Sequence, residues 1–495
     1  MTHRMLLLPL LLLLLAPPAG ADPAQEVIPP GARVRMDLEP LTRDRMFRDA
    51  NVGIHVVDME SEAEVFSWRP DASLLPASTM KVLTAAAALK HLGPSYRFTT
   101  ELLSRGTVSA DGVLQGDLYV RGSGDPTLVL EKLWKMIYDL SLEGIQEISG
   151  NVYFDDTAFD RAHQIPGWNK QEDLRRGPAY FAPLGALSIN FNTVAVVVGP
   201  GSQVGDPARV VLETESDGVV NIENRLVTGV PGSRRWVDLE REVEGRSVTF
   251  VLEGRVPANS DTLRYYRSIP DPTANFVGAF RSMLEDHEIR VRGHYLEQAA
   301  PEEGLRTLVQ LRSPPLSNIL MEMNKYSSNF MAEQVLKALG AQVTGQPGST
   351  EGGLTAISDY LVSLGIPADE FHLVNGSGLS REIVLRPNHL TAVLVDMAQD
   401  PRVGHEFISS LAIGGQDGTL WARFRDENQV GRLRGKTGTI NGVHCLAGYI
   451  EAPSGEIYAF AYLVNDLPRS IAMARRAHDR FIGTFLAASL PDPGE

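Results

Sequence analysis

Between about Leu187 and Arg267 the chain is written almost wholly in β texture, and that interval most limits the folds open to it. The runs NTVAVVVG, ARVVLET, VVNIENRLVTG and RSVTFVLEGRV are rich in β-branched residues, and Gly, Pro or Asp breaks each one. On either side the texture is mixed. Upstream, Asn51 to Asp58 alternates as a strand, and Glu64 to Trp68 returns as its hairpin partner beyond the polar turn Met59–Glu62. An Ala/Leu-rich helix is predicted from Ser78 to Leu92, stopped by Gly93-Pro94. From Phe98 come strands split by glycine turns, then a helix over Val129 to Leu142 and a strand over Gly150 to Asp155. Downstream, helical texture covers Thr273 to His287, Pro315 to Leu339, Gly353 to Leu364 and Arg386 to Ala398. Two β runs, His444 to Glu451 and Glu456 to Val464, precede a last helix from about Arg469 to Leu490. Those final strands would complete a sheet begun at Asn51. The two ends therefore read as halves of one α+β domain, interrupted by a β-rich insertion. A length of 495 residues agrees, because a single compact core rarely grows so large.

Met1 to Ala21 has the form of a secretory signal: Arg4, an apolar core from Met5 to Ala16, and the small residues Ala19-Gly20-Ala21 before Asp22. Asp22 to Leu41 is Pro-rich and reads as irregular or partly helical. No later segment is long and apolar enough to span a bilayer, so no transmembrane anchor is expected. The terminal helix follows directly on the last strand and is assigned to covering the sheet. The only cysteine, Cys445, excludes an internal disulfide, a Cys-rich zinc cluster and a lipid anchor on an N-terminal cysteine. A net charge of −15 makes nucleic acid and anionic membrane surfaces poor partners. The eleven histidines contain no H-E-x-x-H and no serine lies in G-x-S-x-G, so metallopeptidase and α/β-hydrolase chemistry lack their motifs.

Chemistry enters at Ser78 and Lys81. Residues three apart share a helix face, so the amine can reach the hydroxyl and serve as its base without a histidine. A serine in the first turn also sits at the positive end of the helix dipole, which favours a developing oxyanion. Two later strings complete a constellation: Ser327-Ser328-Asn329 after a helical segment, and Lys436-Thr437-Gly438-Thr439 just before a strand. Lys81 must be neutral to take a proton, and a second cation, Lys436, would lower its pKa. Ser327 would relay a proton to the leaving amine, and Asn329 would hold the substrate amide. Lys436 and Thr437 suit a terminal carboxylate. Gly438 leaves the approach clear for the Thr439 and Ser78 backbone N–H groups to form an oxyanion hole. Ser188-Ile189-Asn190 is also S-x-N, but it precedes a β run with no helical lead and is assigned a structural role.

The ordered triad S-x-x-K, S-x-N, K-T-G resembles the D-alanyl-D-alanine carboxypeptidase/endopeptidase family of low-molecular-mass penicillin-binding proteins. The offset of 249 positions from Ser78 to Ser327 separates it from simple serine β-lactamases, whose first two motifs lie far closer. The strings Gly122–Leu128, Pro166-Gly167-Trp168, Asn375–Arg381 and Asp417–Leu420 look like the same family, over about residues 35 to 490. The resemblance implies a serine β-lactamase/DD-peptidase-like α+β domain, an antiparallel sheet flanked by helices, formed by 22–98 with 309–495 after a signal over 1–21. It implies an inserted domain of 99–186 with 268–308, and a β-rich domain nested within that one at 187–267. It further implies that Arg381 and Asn441 line the site for the substrate side chain, with Asp155 and Phe159 of the insertion reaching towards it. The implied substrates are peptidoglycan stem peptides and cross-links in the periplasm, with β-lactams as covalent inhibitors and no metal or organic cofactor. The oligomeric state is left open. The rival readings are a β-lactamase, which needs an added base for fast deacylation, and a non-catalytic wall-binding protein on the same fold.

Overall fold

The computed structural model describes residues 30–43, 48–168, 175–213, 216, 218–467 and 471–489. The expected signal segment lies outside the described residues. A six-stranded antiparallel sheet joins the two ends of the chain. Its strands are β1 (Asn51–Asp58), β2 (Glu64–Trp68), β3 (Ala412–Ile413), β4 (Leu433–Ile440), β5 (Val443–Glu451) and β6 (Ile457–Asn465), in the order β3-β4-β5-β6-β1-β2. β1 pairs with β6 along its whole length, from Asn51 opposite Asn465 to Asp58 opposite Tyr458. The first and last strands of the described residues thus lie side by side.

Helices α1 (Pro30–Leu38), α2 (Lys81–Leu92), α3 (Leu316–Lys325), α4 (Asn329–Thr344), α5 (Thr350–Ser363), α6 (Pro387–Gln399), α7 (Gly404–Ser410) and α8 (Ile471–Ala488) pack on both faces of this sheet. Alternation along the strands divides the two cores. Cys445, Ala447, Tyr449, Ala459, Ala461 and Leu463 meet the layer containing α2 to α7. Leu446, Ile450, Tyr458, Phe460, Tyr462 and Val464 meet α1 and α8. Burial on both faces explains why β5 and β6 read as nearly continuous apolar runs. Among the described residues no helix is long and apolar enough to cross a membrane.

α2 runs through the middle of the larger layer, and every residue from Lys81 to Leu89 is buried. Its four consecutive alanines present little bulk, which lets neighbouring helices approach closely. A lysine at its first position is therefore enclosed on all sides.

Two differences from the sequence reading matter for the site. The stretch Pro315 to Leu339 is two helices, because Ser327 takes a left-handed φ of 58° and Ser328 caps α4 by accepting from Met331 N at 3.3 Å. The Lys436–Thr439 string lies inside β4 rather than before a strand. Its glycines and charges hide the strand in the sequence, and pairing with β5 along the full length supplies what local propensity does not.

The intervening residues build further sheets. One has five strands in the spatial order Tyr295–Glu297, Val152–Asp155, Leu118–Gly122, Thr99–Ser104 and Arg306–Arg312. The helices Leu130–Leu142 and Pro272–Asp286 share a core with it. A separate apolar cluster joins two three-stranded sheets centred on Thr193–Gly199 and Ser247–Pro257. The insertion is tied to the helical layer: Phe159 and Ala186 are buried in that layer's core, and the fully buried Lys337 of α4 pairs with Asp160 at 2.6 Å.

Candidate active site

Ser78 lies on a 3₁₀ turn, Ala77–Met80, and the α-helix begins only at Lys81. Ala77 has a left-handed φ of 46°, which costs a non-glycine residue about 1–2 kcal/mol. Neighbouring backbone holds the turn there. At Gly378, itself at φ 81°, a Cβ would fall 1.8 Å from the Ala77 carbonyl oxygen. At Gly438 of β4 a Cβ would lie 2.6 Å from Pro76 O and 3.0 Å from Ser78 N. Two glycines thus allow a loop and a strand to press on the turn from different elements. Strain maintained in this way is common where a side chain has to be presented for chemistry.

Lys81 is fully buried, yet its amine is satisfied. Nζ lies 2.7 Å from the Ser377 carbonyl oxygen, 2.8 Å from Asn329 Oδ1 and 3.1 Å from Ser78 Oγ. The first two partners can only accept. The third is a hydroxyl, which can also donate. A neutral amine suits this set: two N–H bonds go to the carbonyls and the lone pair faces the Ser78 proton. Burial lowers the Lys81 pKa to about 7, and the charge of Glu333 pulls it part of the way back.

Lys436, also fully buried, donates to Ser327 Oγ and to Thr437 O, both at 2.8 Å. Its pKa is pushed well down, first by burial and then by the charge of Lys81. Sequence reasoning expected burial and the field of Lys436 to act together on Lys81, and burial is the largest cause of the lowering at both amines. Thr437 Oγ1 is 2.8 Å from Thr419 Oγ1, and Asp417 of the same loop pairs with Lys325 at the end of α3. This loop fixes the end of α3 beside β4 and so places Ser327 against Lys436.

Ser78, Ser327, Asn329, Arg381, Thr439 and Asn441 line one cavity of about 590 Å³, together with Trp168, Tyr180 and Phe181. Arg381 donates to Asn441 O at 2.7 Å, which joins the loop after α5 to the residues just beyond β4. β3 pairs with β4 only at Arg434 and Gly435, so the edge from Lys436 to Ile440 has no strand beside it among the described residues.

Two expected residues do not reach this cavity. Asp155 is buried and accepts from Thr157 N, Thr157 Oγ1, Ala300 N and Arg121 Nε, which commits it to folding the insertion. Phe159 is buried in the helical core, packed over Gly124 and Gly348. Ser188 likewise folds on itself, with Oγ donating to Gly185 O at 2.9 Å. The aromatic positions that do line the cavity from the insertion are Trp168, Tyr180 and Phe181. Pro166-Gly167-Trp168 stood out in the sequence without a role, whereas nothing local marked Tyr180. Glu333 was also overlooked, although a lone acid inside the apolar run Phe330–Leu336, one turn beyond Asn329, is a readable signal.

The chain is similar to known proteins over most of its length. A D-alanyl-D-alanine carboxypeptidase of Actinomadura sp. is 32% identical over 469 residues, covering 92% of this chain and 84% of that one. The D-alanyl-D-alanine carboxypeptidase DacB of Haemophilus influenzae is 26% identical over 418 residues, covering 84% and 85% of the two chains. The crystal structure of penicillin binding protein 4 (dacB) from Haemophilus influenzae superposes with a TM-score of 0.77 at 24% identity, over 90% of this chain and 97% of that one. The characteristic pattern of the D-Ala-D-Ala carboxypeptidase 3 (S13) family runs from residue 34 to residue 483, across both halves of the sheet and the insertion between them. With the serine–lysine turn, the S-x-N turn and the K-T-G strand gathered at one cavity, the chain belongs to that family.

Proposed function

We propose that the chain is an exported serine D-Ala-D-Ala carboxypeptidase and endopeptidase of the periplasm, acting on peptidoglycan stem peptides and their cross-links. The observation that carries the reading is the Lys81 amine, held between two carbonyl acceptors with its third direction on Ser78 Oγ. Ser78 Oγ attacks the D-alanyl carbonyl carbon as its proton passes to Lys81. The backbone N–H groups of Ser78 and Thr439 receive the oxyanion. The C–N bond then breaks as Ser327 passes its proton to the leaving amine and takes one from Lys436, which leaves an ester on Ser78. Water adds its hydroxyl to the acyl carbon and returns its proton through Ser327 to Lys436, while Lys81 gives its proton back to Oγ as the ester bond breaks. A β-lactam enters by the same attack, but its amine stays tethered and the ester persists.

The remaining residues position the substrate. An extended peptide fits beside the open edge of β4, with its side chain towards Trp168, Tyr180, Arg381 and Asn441. A substrate carboxylate near Lys436, Thr437 and the clear approach at Gly438 favours charge on Lys436. The two buried amines repel, so that charge in turn drives the proton off Lys81.

Cutting a cross-link requires room on both sides of the scissile bond. A second groove of about 470 Å³ supports this activity. It shares Tyr180, Ser327 and Asn329 with the first cavity and continues over Phe191, Tyr266 and Tyr326. Asn190, Phe191 and Asn192 hold consecutive left-handed φ values of 50°, 57° and 50°, and this turn puts the Phe191 ring at the groove.

Digesting cross-linked peptidoglycan and identifying the products by mass spectrometry tests the reading. Free D-alanine from monomers and monomers from dimers are both expected. Neither product from a protein that penicillin still acylates would contradict the peptidase reading. Tyr326→Ala should slow dimer cleavage about tenfold, as expected for loss of an exposed aromatic contact, with D-alanine release within about twofold of normal. Equal losses in the two assays would exclude the groove from cross-link binding.

A further inference from the structure

Glu333 of α4 is fully buried and lies one turn beyond Asn329 on the same helix. Its two carboxylate oxygens accept successive backbone N–H groups of a loop: Oε2 from Gly376 at 3.0 Å and Oε1 from Ser377 at 2.8 Å. The carbonyls of those residues point the other way, onto α2. Gly376 O accepts from Thr84 Oγ1 at 2.7 Å, and Ser377 O accepts from Lys81 Nζ at 2.7 Å. The loop has little freedom to do otherwise. Gly376 packs on Leu336, and Gly378 abuts the Ala77 carbonyl. One carboxylate thus fixes the peptide planes on either side of Gly376, and the next plane, which carries the Ser377 carbonyl, has its own N–H, that of Gly378, accepted by Asn375 Oδ1 at 2.9 Å.

We propose that Glu333 is a positioning residue for Lys81, clamping the Gly376–Ser377 backbone so that the Ser377 carbonyl is aimed at the amine, while its negative charge keeps the amine basic enough to act. The inference rests on the reading of Lys81 as the base for Ser78. Burial raises the Glu333 pKa, and the hydrogen bonds from the Gly376–Ser377 loop together with the Lys81 charge pull it back towards the anion. The site then holds one buried carboxylate and two buried amines, Lys81 and Lys436. Glu322 of α3 is exposed, and three lysines on the neighbouring elements have partners of their own. Lys337 of α4 pairs with Asp160, Lys90 at the far end of α2 with Asp396 and Asp400, and Lys325 of α3 with Asp417. The loop 375–378 carries no charge.

A lysine in this position without the anion would lose its proton readily and become a poor acceptor. With the anion it remains near the working pH, where neutral fraction and basicity are both useful. The Coulomb term of Glu333 on Lys81 has that sign.

The test is the rate of acylation by a fluorescent penicillin across pH, using full-length wild type, Glu333→Gln and Glu333→Asp. Removing the charge lowers the Lys81 pKa, so the acid limb of Glu333→Gln should move down by about one pH unit. Its plateau should fall about tenfold, because an amide cannot accept both N–H groups in the same way. Glu333→Asp keeps the charge but shortens the reach, so its limb should stay within about 0.3 unit of wild type while its plateau falls. A Glu333→Gln limb at the wild-type position would show a purely structural acid and overturn the proposal. Should Glu333→Gln not fold, the Asp variant decides: a limb displaced by a full unit overturns the proposal, and an unmoved limb with a reduced plateau supports it. Wild type that penicillin fails to acylate would instead defeat the reading of Lys81 and Ser78 themselves.

Discussion

Lys81→Met should reduce acylation by penicillin about 10³-fold, the usual order of loss when a positioned general base is removed. Methionine fills a similar volume without an amine, so the enclosed first turn of α2 stays packed while Ser78 loses its proton acceptor. Three hydrogen bonds disappear with the amine. Asn329 Oδ1 and the Ser377 carbonyl are left without that donor, and a drop in melting temperature should accompany the kinetic loss. The wild-type profile provides the control. Acylation needs neutral Lys81, whose pKa is about 7, so the rate should rise with pH through that value and level off above it. A Lys81→Met variant within about tenfold of wild type, measured by stopped-flow fluorescence at pH 8, would remove Lys81 from the mechanism.

Gly438→Ala should be nearly as damaging, for a geometric reason. The added Cβ would meet Pro76 O at 2.6 Å, Ser78 N at 3.0 Å and Thr79 N at 3.1 Å, all of them backbone atoms. No rotamer can relieve such contacts, so β4 has to move away from the nucleophile turn. The Thr439 N–H moves with it, and acylation should fall about 10²- to 10³-fold, as when an oxyanion donor is lost. β4 keeps its pairing with β5 through Gly438 and Cys445, so the variant should remain folded by circular dichroism. Normal acylation in this variant would mean that β4 does not form a wall of the oxyanion site.

The parts of this site that could be read from sequence are those written locally. Ser78 and Lys81 share a turn, Lys436 to Thr439 are contiguous, and β1, β2, β5 and β6 carry regular apolar patterns. What escaped depends on contacts between distant segments. β4 is a strand because β5 pairs with it, while its own Gly and Lys content argues against one. Pro315 to Leu339 has continuous helical texture, and only the left-handed Ser327 and the Ser328 cap divide it. Asp155 and Phe159 were expected near the substrate, but Asp155 meets Ala300 N and Arg121 instead, and Phe159 meets the core. Their places at the cavity are taken by Trp168 and by Tyr180 and Phe181 of the short 3₁₀ turn Ala179–Phe181, residues that no periodic pattern marks in the sequence. The field around Lys81 was also beyond reach of the sequence, because it depends on how completely α2 is enclosed and on where Glu333 points.

Mass spectrometry of the penicillin-treated full-length protein, followed by peptide mapping, tests the central claim most directly. One adduct per chain is expected, carried by Ser78, with no labelling of a folded Ser78→Ala variant. An adduct on any other residue, or undiminished labelling of Ser78→Ala, would contradict the assignment of Ser78 as the nucleophile.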